Sequence, residues 1–147
     1  MSAYDTHQRL RTKGNRLLRK KAYEDAIKTI GDGAIEMLEQ KEQGSGCDLG
    51  VYLADIYEQA DRSCDEESRS RLVKIISLAA NDFWRKKVID TAIKWSVQAS
   101  GNPAGDSQLR LSIAEVLAKG ELRMESELWS NLLLKKCAFY GICCFLF

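Results

Sequence analysis

Apolar side chains recur every three or four positions along most of this chain of 147 residues, which is the spacing that one face of an α-helix requires. Strand-like alternation bounded by turn residues is missing from the sequence, and one proline, Pro103, interrupts it. The pattern therefore predicts an all-α protein. It places helices at about residues 3–20, 23–41, 48–60, 65–78, 83–99 and 107–119, with a further one beginning near residue 123.

The lengths of the predicted loops indicate how these helices are arranged. Helices of about 12–18 residues joined by loops of about 3–6 residues favour antiparallel neighbours. Residues 21–27 place Tyr23 and Ala26 as a tetratricopeptide hairpin does, although the full repeat of about 34 residues does not recur. We expect an α-solenoid of antiparallel TPR-like helical hairpins.

Glycines and acids mark the predicted helix ends. The segment 42–46, with Gly44-Ser45-Gly46, is expected to be a loop that ends the second helix. Gly120 is expected to stop the sixth helix. Asp65 and the two acids that follow it suit the start of the fourth helix, where the helix dipole stabilises negative charge.

Charge is segregated along the chain although the formal net charge is +1. Residues 1–21 hold seven Lys/Arg and one acid, residues 22–67 hold thirteen acids and three bases, and residues 68–147 hold twelve bases and seven acids. In the first helix, four bases follow the spacing of a single exposed face: Arg9, Lys13, Arg16 and Lys20. Such a face is ordinarily a solvated surface, and it also suits the docking of a charged partner.

The sequence offers little for catalysis, metals or cofactors. His7 is the only histidine, and no Cys-x-x-Cys pair exists, so no catalytic triad can be assembled and a metal site is not expected. Gly44-Ser45-Gly46 lacks the length and the lysine of a phosphate-binding loop. The near-neutral charge and the absence of aromatic-basic alternation argue against nucleic-acid binding. We predict a protein that is not an enzyme and needs no cofactor.

The cysteines and the first apolar run indicate the compartment. Five cysteines, an odd number with irregular spacing, follow no secretory signal, which predicts reduced thiols in the cytosol. His7 is expected to be packed and hydrogen-bonded beside Leu10. The three tryptophans, Trp84, Trp95 and Trp129, are expected in the core.

Several short motifs, in order, resemble the Golgi-to-ER traffic protein 4 family, the adaptor of the guided entry of tail-anchored proteins pathway. The matching pieces lie at residues 4–8, 11–12, 16, 23–27, 33–34, 44–49, 52–53, 71–73, 93–96 and 121–127. The resemblance implies an α-solenoid adaptor that is not an enzyme. Its N-terminal half is expected to bind the ATPase that carries tail-anchored proteins, and its C-terminal half a ubiquitin-like co-chaperone subunit.

Carried over residue by residue, the ATPase-facing surface of the family corresponds to Arg11, Arg16, Arg19 and Asp48. Arginines at such sites make charge-assisted pairs with acids of a partner. Asp48 is expected near a helix start, where it would act as an N-cap, as a contact to a partner cation, or as both.

The chain also departs from the family pattern. The family has a helix before Tyr4, and residues 106–110 lack the expected Asp-Pro-x-Leu-His. The resemblance is expected to end near Trp129, which divides the chain into a solenoid portion, 1–130, and an apolar tail, 131–147. The binding site for the ubiquitin-like subunit is then expected to be missing.

The tail leaves alternatives open. Its last eleven residues are too short to span a bilayer, which needs about twenty, so no direct membrane insertion is expected. The tail is either the start of a buried helix or a frameshifted or intron-derived end, and Cys144 loosely fits a prenylation motif. A generic TPR-like interaction scaffold and a truncated product lacking the second partner site are the alternative functions.

Overall fold

The computed structural model describes residues 1–80 and 82–121, and this part of the chain is all-helical. Six helices follow one another as α1 Ala3–Arg19, α2 Tyr23–Glu39, α3 Gln43–Gln59, α4 Glu66–Leu78, α5 Asp82–Ser100 and α6 Ser107–Glu121. The predicted seventh helix and the apolar tail lie outside the described residues.

Each helix packs against the next one and, for most of them, against the next but one. Contacts join α1 to α2 and α3, α2 to α3 and α4, α3 to α4 and α5, α4 to α5 and α6, and α5 to α6. This pattern of near neighbours is that of a solenoid, in which hairpins stack in chain order. The predicted fold class, an α-solenoid of antiparallel hairpins, is confirmed.

The first three helices start twenty residues apart, and each ends in the same kind of turn. The residues just past the helix ends, Lys21, Lys41 and Asp61, have positive φ angles of 57°, 65° and 50°. In each turn the next amide donates back across the helix end, as in Ala22 N–H to the Leu17 carbonyl at 2.9 Å. These are Schellman-type helix ends. In such an end, glycine ordinarily occupies the position that has the positive φ angle.

The core runs along the middle of the stack. Large side chains that are fully enclosed come from every helix from α2 to α6, among them Ile27, Ile30, Met37, Leu49, Leu53, Ile56, Tyr57, Leu72, Ile75, Ile76, Ile89, Trp95, Leu109 and Ile113. The prediction that Trp95 belongs to the core is confirmed, whereas Trp84 is half-buried at its edge and Trp129 lies outside the described residues.

The predicted glycine loop is wrong. Gly44, Ser45 and Gly46 lie in the first turn of α3, which starts at Gln43 and not near Asp48. A Cβ on Gly46 would lie 2.5 Å from Leu38 Cγ and 3.1 Å from the Leu38 backbone nitrogen, so glycine here permits close approach of α2 and α3. Gly120 likewise does not stop α6, which extends to Glu121.

Candidate functional site

The outer surface of α1 carries the bases that the spacing predicts. Arg9, Lys13, Arg16 and Lys20 are all exposed, while Gly14 is the only residue of this helix that is fully buried. An open groove of about 540 Å³ lies beside the helix, and Met1, Leu10 and three of these bases are among its lining residues. We call Arg9, Lys13, Arg16, Arg19 and the C-cap residue Lys20 together the cationic face.

Asp48 connects α3 to the opposite side of α1. Its Oδ2 lies 2.7 Å from Nε2 of His7 and 2.7 Å from an Nη of Arg11. The His7 side chain is 13% exposed, whereas those of Arg11 and Asp48 are 37% and 43% exposed. Since an ionised carboxylate only accepts hydrogen bonds, His7 donates from Nε2. The expectation of a hydrogen-bonded His7 is confirmed, with a partner on another helix.

Tyr52, one turn beyond Asp48 on α3, continues the same set of contacts. Its hydroxyl donates to Oδ1 of Asn15 at 2.6 Å, and the Arg11 guanidinium lies 4.6 Å from the centre of its ring. Burial raises the pKa of Tyr52, the positive charge of Arg11 opposes this, and Asp55 adds to it. The hydroxyl therefore stays protonated at neutral pH and available as a donor.

Two rows of side chains meet in this way across α1 and α3. His7, Arg11 and Asn15 are spaced by four on α1, and Asp48 and Tyr52 are spaced by four on α3, so each row lies on one helix face. We call these five residues the α1–α3 ladder. His7, Arg11 and Asp48 are candidate residues from the sequence, whereas Asn15 and Tyr52 were not predicted as contacts, because a row of spacing four does not reveal which helix it faces.

The four residues predicted from the resemblance divide into two groups. Arg11 and Asp48 are joined in the ladder, whereas Arg16 and Arg19 are exposed on the cationic face. At about 100° per residue, Arg11 lies roughly 140° around α1 from Arg16. Asp48 is in the second turn of α3, so the expected N-cap role is wrong; the N-cap position is Glu42.

A second polar cluster, which the sequence pattern does not predict, surrounds Arg62 in the turn after α3. Its guanidinium pairs with Glu24 of α2 and with Asp65 and Glu67 at the start of α4. Its Nε donates to the hydroxyl of buried Ser68 at 3.0 Å. Through this one side chain, which is 16% exposed, the cluster connects α2, the turn after α3 and the start of α4.

The described thiols have the properties of structural cysteines. Burial raises the pKa of Cys47 and of Cys64 to about 11, so both are neutral at physiological pH and weak nucleophiles. In the described part of the chain, no group of three or more His, Cys, Asp or Glu side chains is arranged to hold a metal ion. None of the described helices has the length and apolarity needed to cross a bilayer.

Comparison with family models gives a match over most of the chain. The model described as Golgi to ER traffic protein 4 matches residues 20–137. The match begins just after α1 and continues beyond Trp129, where the motif-based resemblance was expected to end. It includes Asp48 and excludes Arg11, Arg16 and Arg19.

Several proteins of this description are similar in sequence. Golgi to ER traffic protein 4 of Schizosaccharomyces pombe is 31% identical over 117 residues, which are 79% of this chain and 38% of the relative. The homolog from Takifugu rubripes is 28% identical over 124 residues, covering 84% and 38%. The chain thus spans about two fifths of the length of these relatives.

A solved structure shows the same fold. The crystal structure of C. therm. Get4 superposes with a TM-score of 0.76 at 24% identity, over 94% of this chain and 47% of that one. The likeness supports the solenoid arrangement of helices independently of the sequence motifs.

Proposed function

Because the chain belongs to the Golgi to ER traffic protein 4 family, we propose that it acts as an adaptor in the delivery of tail-anchored membrane proteins to the endoplasmic reticulum. In this role it binds the targeting ATPase and performs no chemistry itself. The family match carries the proposal, and the neutral thiols and the single histidine agree with it.

We assign the ATPase contact to the α1 side of the solenoid. Arg16 and Arg19 would approach the partner from the exposed face of α1, and Arg11 and Asp48 from the side where α1 meets α3. Exposed bases on one helix suit an acidic partner surface, because unpaired surface cations steer association and pair with carboxylates at low cost.

The proposed setting is the cytosol, and the second partner is a ubiquitin-like co-chaperone subunit. We propose that its site lies in the part of the relatives that this chain does not span, since the matches cover 38% of each relative. Co-purification of the chain with that subunit would contradict this assignment, and failure to co-purify while the ATPase binds would support it.

The ATPase contact is tested by charge reversal. We expect Arg16→Glu to weaken binding of the purified ATPase roughly tenfold, since it removes one exposed ion pair and adds a repulsion of similar size. Lys74→Glu on α4 is the matched control, because Lys74 is an exposed base far along the chain from α1. Titration calorimetry at two salt concentrations measures both variants. Wild-type affinity for Arg16→Glu would refute the assignment to α1.

A generic helical scaffold with no role in targeting is the second candidate. It rests on the solenoid fold, which other interaction proteins share. Absence of any ATPase binding by the wild-type chain, with the chain folded by circular dichroism, would favour this candidate.

A further inference from the structure

An exposed hydroxyl, that of Thr12, lies among the bases on the outer surface of α1. Thr12 comes one turn after Arg9, one turn before Arg16 and two turns before Arg19. At about 100° per residue, all three arginines lie within roughly 60° of Thr12 around the helix axis. A group attached to Thr12 would therefore lie within the cationic face, beside both arginines that the proposed function assigns to the ATPase contact.

The Thr12 hydroxyl is open to solvent and to its charged neighbours. In the described part of the chain it makes no hydrogen bond, whereas the hydroxyl of Thr6 on the same helix donates to the Ser2 carbonyl at 3.2 Å. Thr12 also lines the open groove of about 540 Å³ beside α1, together with three bases of the cationic face. A phosphate on this hydroxyl would have both space and cations around it.

The sequence around Thr12 suits a protein kinase that selects basic substrates. Arg9 and Arg11 precede Thr12 by three residues and by one, and Lys13 follows it. Kinases discriminate between substrates by charge patterns of this kind. α1 can also open to present the acceptor, because Gly14 is its only fully buried residue and its larger apolar side chains are half-buried. Elements with few buried apolar contacts open locally at low cost in free energy.

We infer that Thr12 is a phosphorylation site, and that phosphate at this position switches off docking of the ATPase on α1. The γ-phosphoryl group of ATP passes to Thr12 Oγ1: the new O–P bond forms, the bond to the departing ADP breaks, and the hydroxyl proton goes to the catalytic base of the kinase. Phosphothreonine carries a charge of about −1.5 to −2 at pH 7. It can pair with Arg9 and Arg16, which are three and four residues away on the helix, and so cancels about two positive charges of the cationic face.

The first test needs no ATPase. The folded chain is incubated with ATP, Mg²⁺ and either cyclic-AMP-dependent or calcium/calmodulin-dependent protein kinase, which both select an arginine three residues before the acceptor. We expect tandem mass spectrometry to locate phosphate at Thr12. Thr29 on α2 is the internal control, because Ala26 takes the place of that arginine, and it should stay unmodified. Absence of phosphate at Thr12 with both kinases would overturn the inference.

The second test measures how the charge at Thr12 affects binding, and in this it rests on the proposed function. We expect the phosphorylated chain to bind the purified ATPase roughly ten- to a hundredfold more weakly at low salt, with a smaller difference at high salt. Thr12→Glu adds less charge and should lose several-fold in affinity. Thr12→Val keeps the shape of the side chain without the hydroxyl and should bind like the wild type. A loss in Thr12→Val as large as that of the phosphorylated chain would reject a charge effect.

Ser70→Glu on α4 is the matched control for Thr12→Glu. Ser70 is exposed and lies four residues before Lys74, as Thr12 lies four residues before Arg16, and α4 makes no contact with α1. Its affinity for the ATPase should equal that of the wild type. If the phosphorylated chain bound as tightly as the unmodified one, the inference would be overturned. If the unmodified chain bound no ATPase at all, the proposed function would fail instead, and mass spectrometry would still judge Thr12 as an acceptor.

Discussion

At the scale of single residues, two glycines in the first turn of α3 have opposite roles. A Cβ on Gly46 would press on Leu38, including its backbone, whereas a Cβ on Gly44 would meet Trp84 at an ordinary 3.6 Å. We expect Gly46→Ala to lower the free energy of unfolding by about 1–3 kcal/mol, because α2 and α3 must separate to admit a methyl group. Urea unfolding measures the change.

Gly44→Ala is the matched control for this substitution. It removes the same backbone freedom two residues away, so it should leave stability unchanged or raise it by up to about 1 kcal/mol. Equal losses in both variants would mean that the close approach of α2 and α3 at Gly46 has no energetic weight.

The contribution of Asp65 to the stability of the fold depends on pH. It is the N-cap of α4 and accepts from the Ser68 amide at 2.8 Å. Burial alone would raise its pKa, but the hydrogen bonds from Ser68 and the charges of Arg62 and Arg69 outweigh this and hold the pKa below its usual value.

We expect Asp65→Ala to cost about 1 kcal/mol at pH 7, the usual effect of losing an N-cap. Because the pKa is lowered in the folded state, the stabilisation is present above about pH 4 and is lost as the pH falls further. Thermal unfolding at several pH values should therefore show wild type and variant converging in acid. Glu66→Ala, which removes a first-turn acid without a cap, should cost at most about 0.5 kcal/mol.

At the scale of helices, the three similar turns after α1, α2 and α3 use residues that are poorly suited to them. Lys41 adopts a φ of 65°, where an L-residue with a side chain is strained by about 1 kcal/mol. Lys41→Gly should raise the free energy of unfolding by about 0.5–1 kcal/mol. Gln40→Gly, at a φ of −78°, should lower it, and a gain in both variants would show that the conformation of the turn is not the cause.

The hydrophobic pattern predicted five of the six described helices to within two residues at each end. The exception is the start of α3, where the sequence Gly44-Ser45-Gly46 is typical of a loop. The preference of glycine for loops was overridden there by packing, since the Leu38 side chain fills the space that Gly46 leaves. No pattern within one segment carries this information, because the neighbouring residue lies on another helix.

At the scale of the whole molecule, the candidate site could be predicted only in part, because some of its contacts join residues on different helices. The exposed bases of α1 follow from spacing alone. The contact of His7 with Asp48 joins residues 41 positions apart, and requires knowing that α1 touches α3 as well as α2. The sequence therefore predicted Asp48 as an N-cap, a contact to a partner cation or both, whereas the structure joins it to His7 and Arg11.

The contacts of Arg62 allow a prediction about the stability of the helix stack. Its side chain pairs with Glu24, Asp65 and Glu67 and satisfies the hydroxyl of fully buried Ser68. Its carbonyl accepts from the indole of Trp95 on α5 at 3.2 Å. Removing the side chain leaves the Ser68 hydroxyl without this partner, which costs about 1–3 kcal/mol.

We therefore expect Arg62→Met to lower the free energy of unfolding by about 1–3 kcal/mol, and Arg62→Lys to recover only part of it. Lysine restores the charge, but it lacks the planar fork that reaches Ser68 and the carboxylates together. Lys74→Met, an exposed base on α4, should change stability by less than about 0.5 kcal/mol. If urea unfolding gave Arg62→Met the same stability as Lys74→Met, the pairs that the Arg62 side chain makes with α2 and with the start of α4 would contribute nothing to stability.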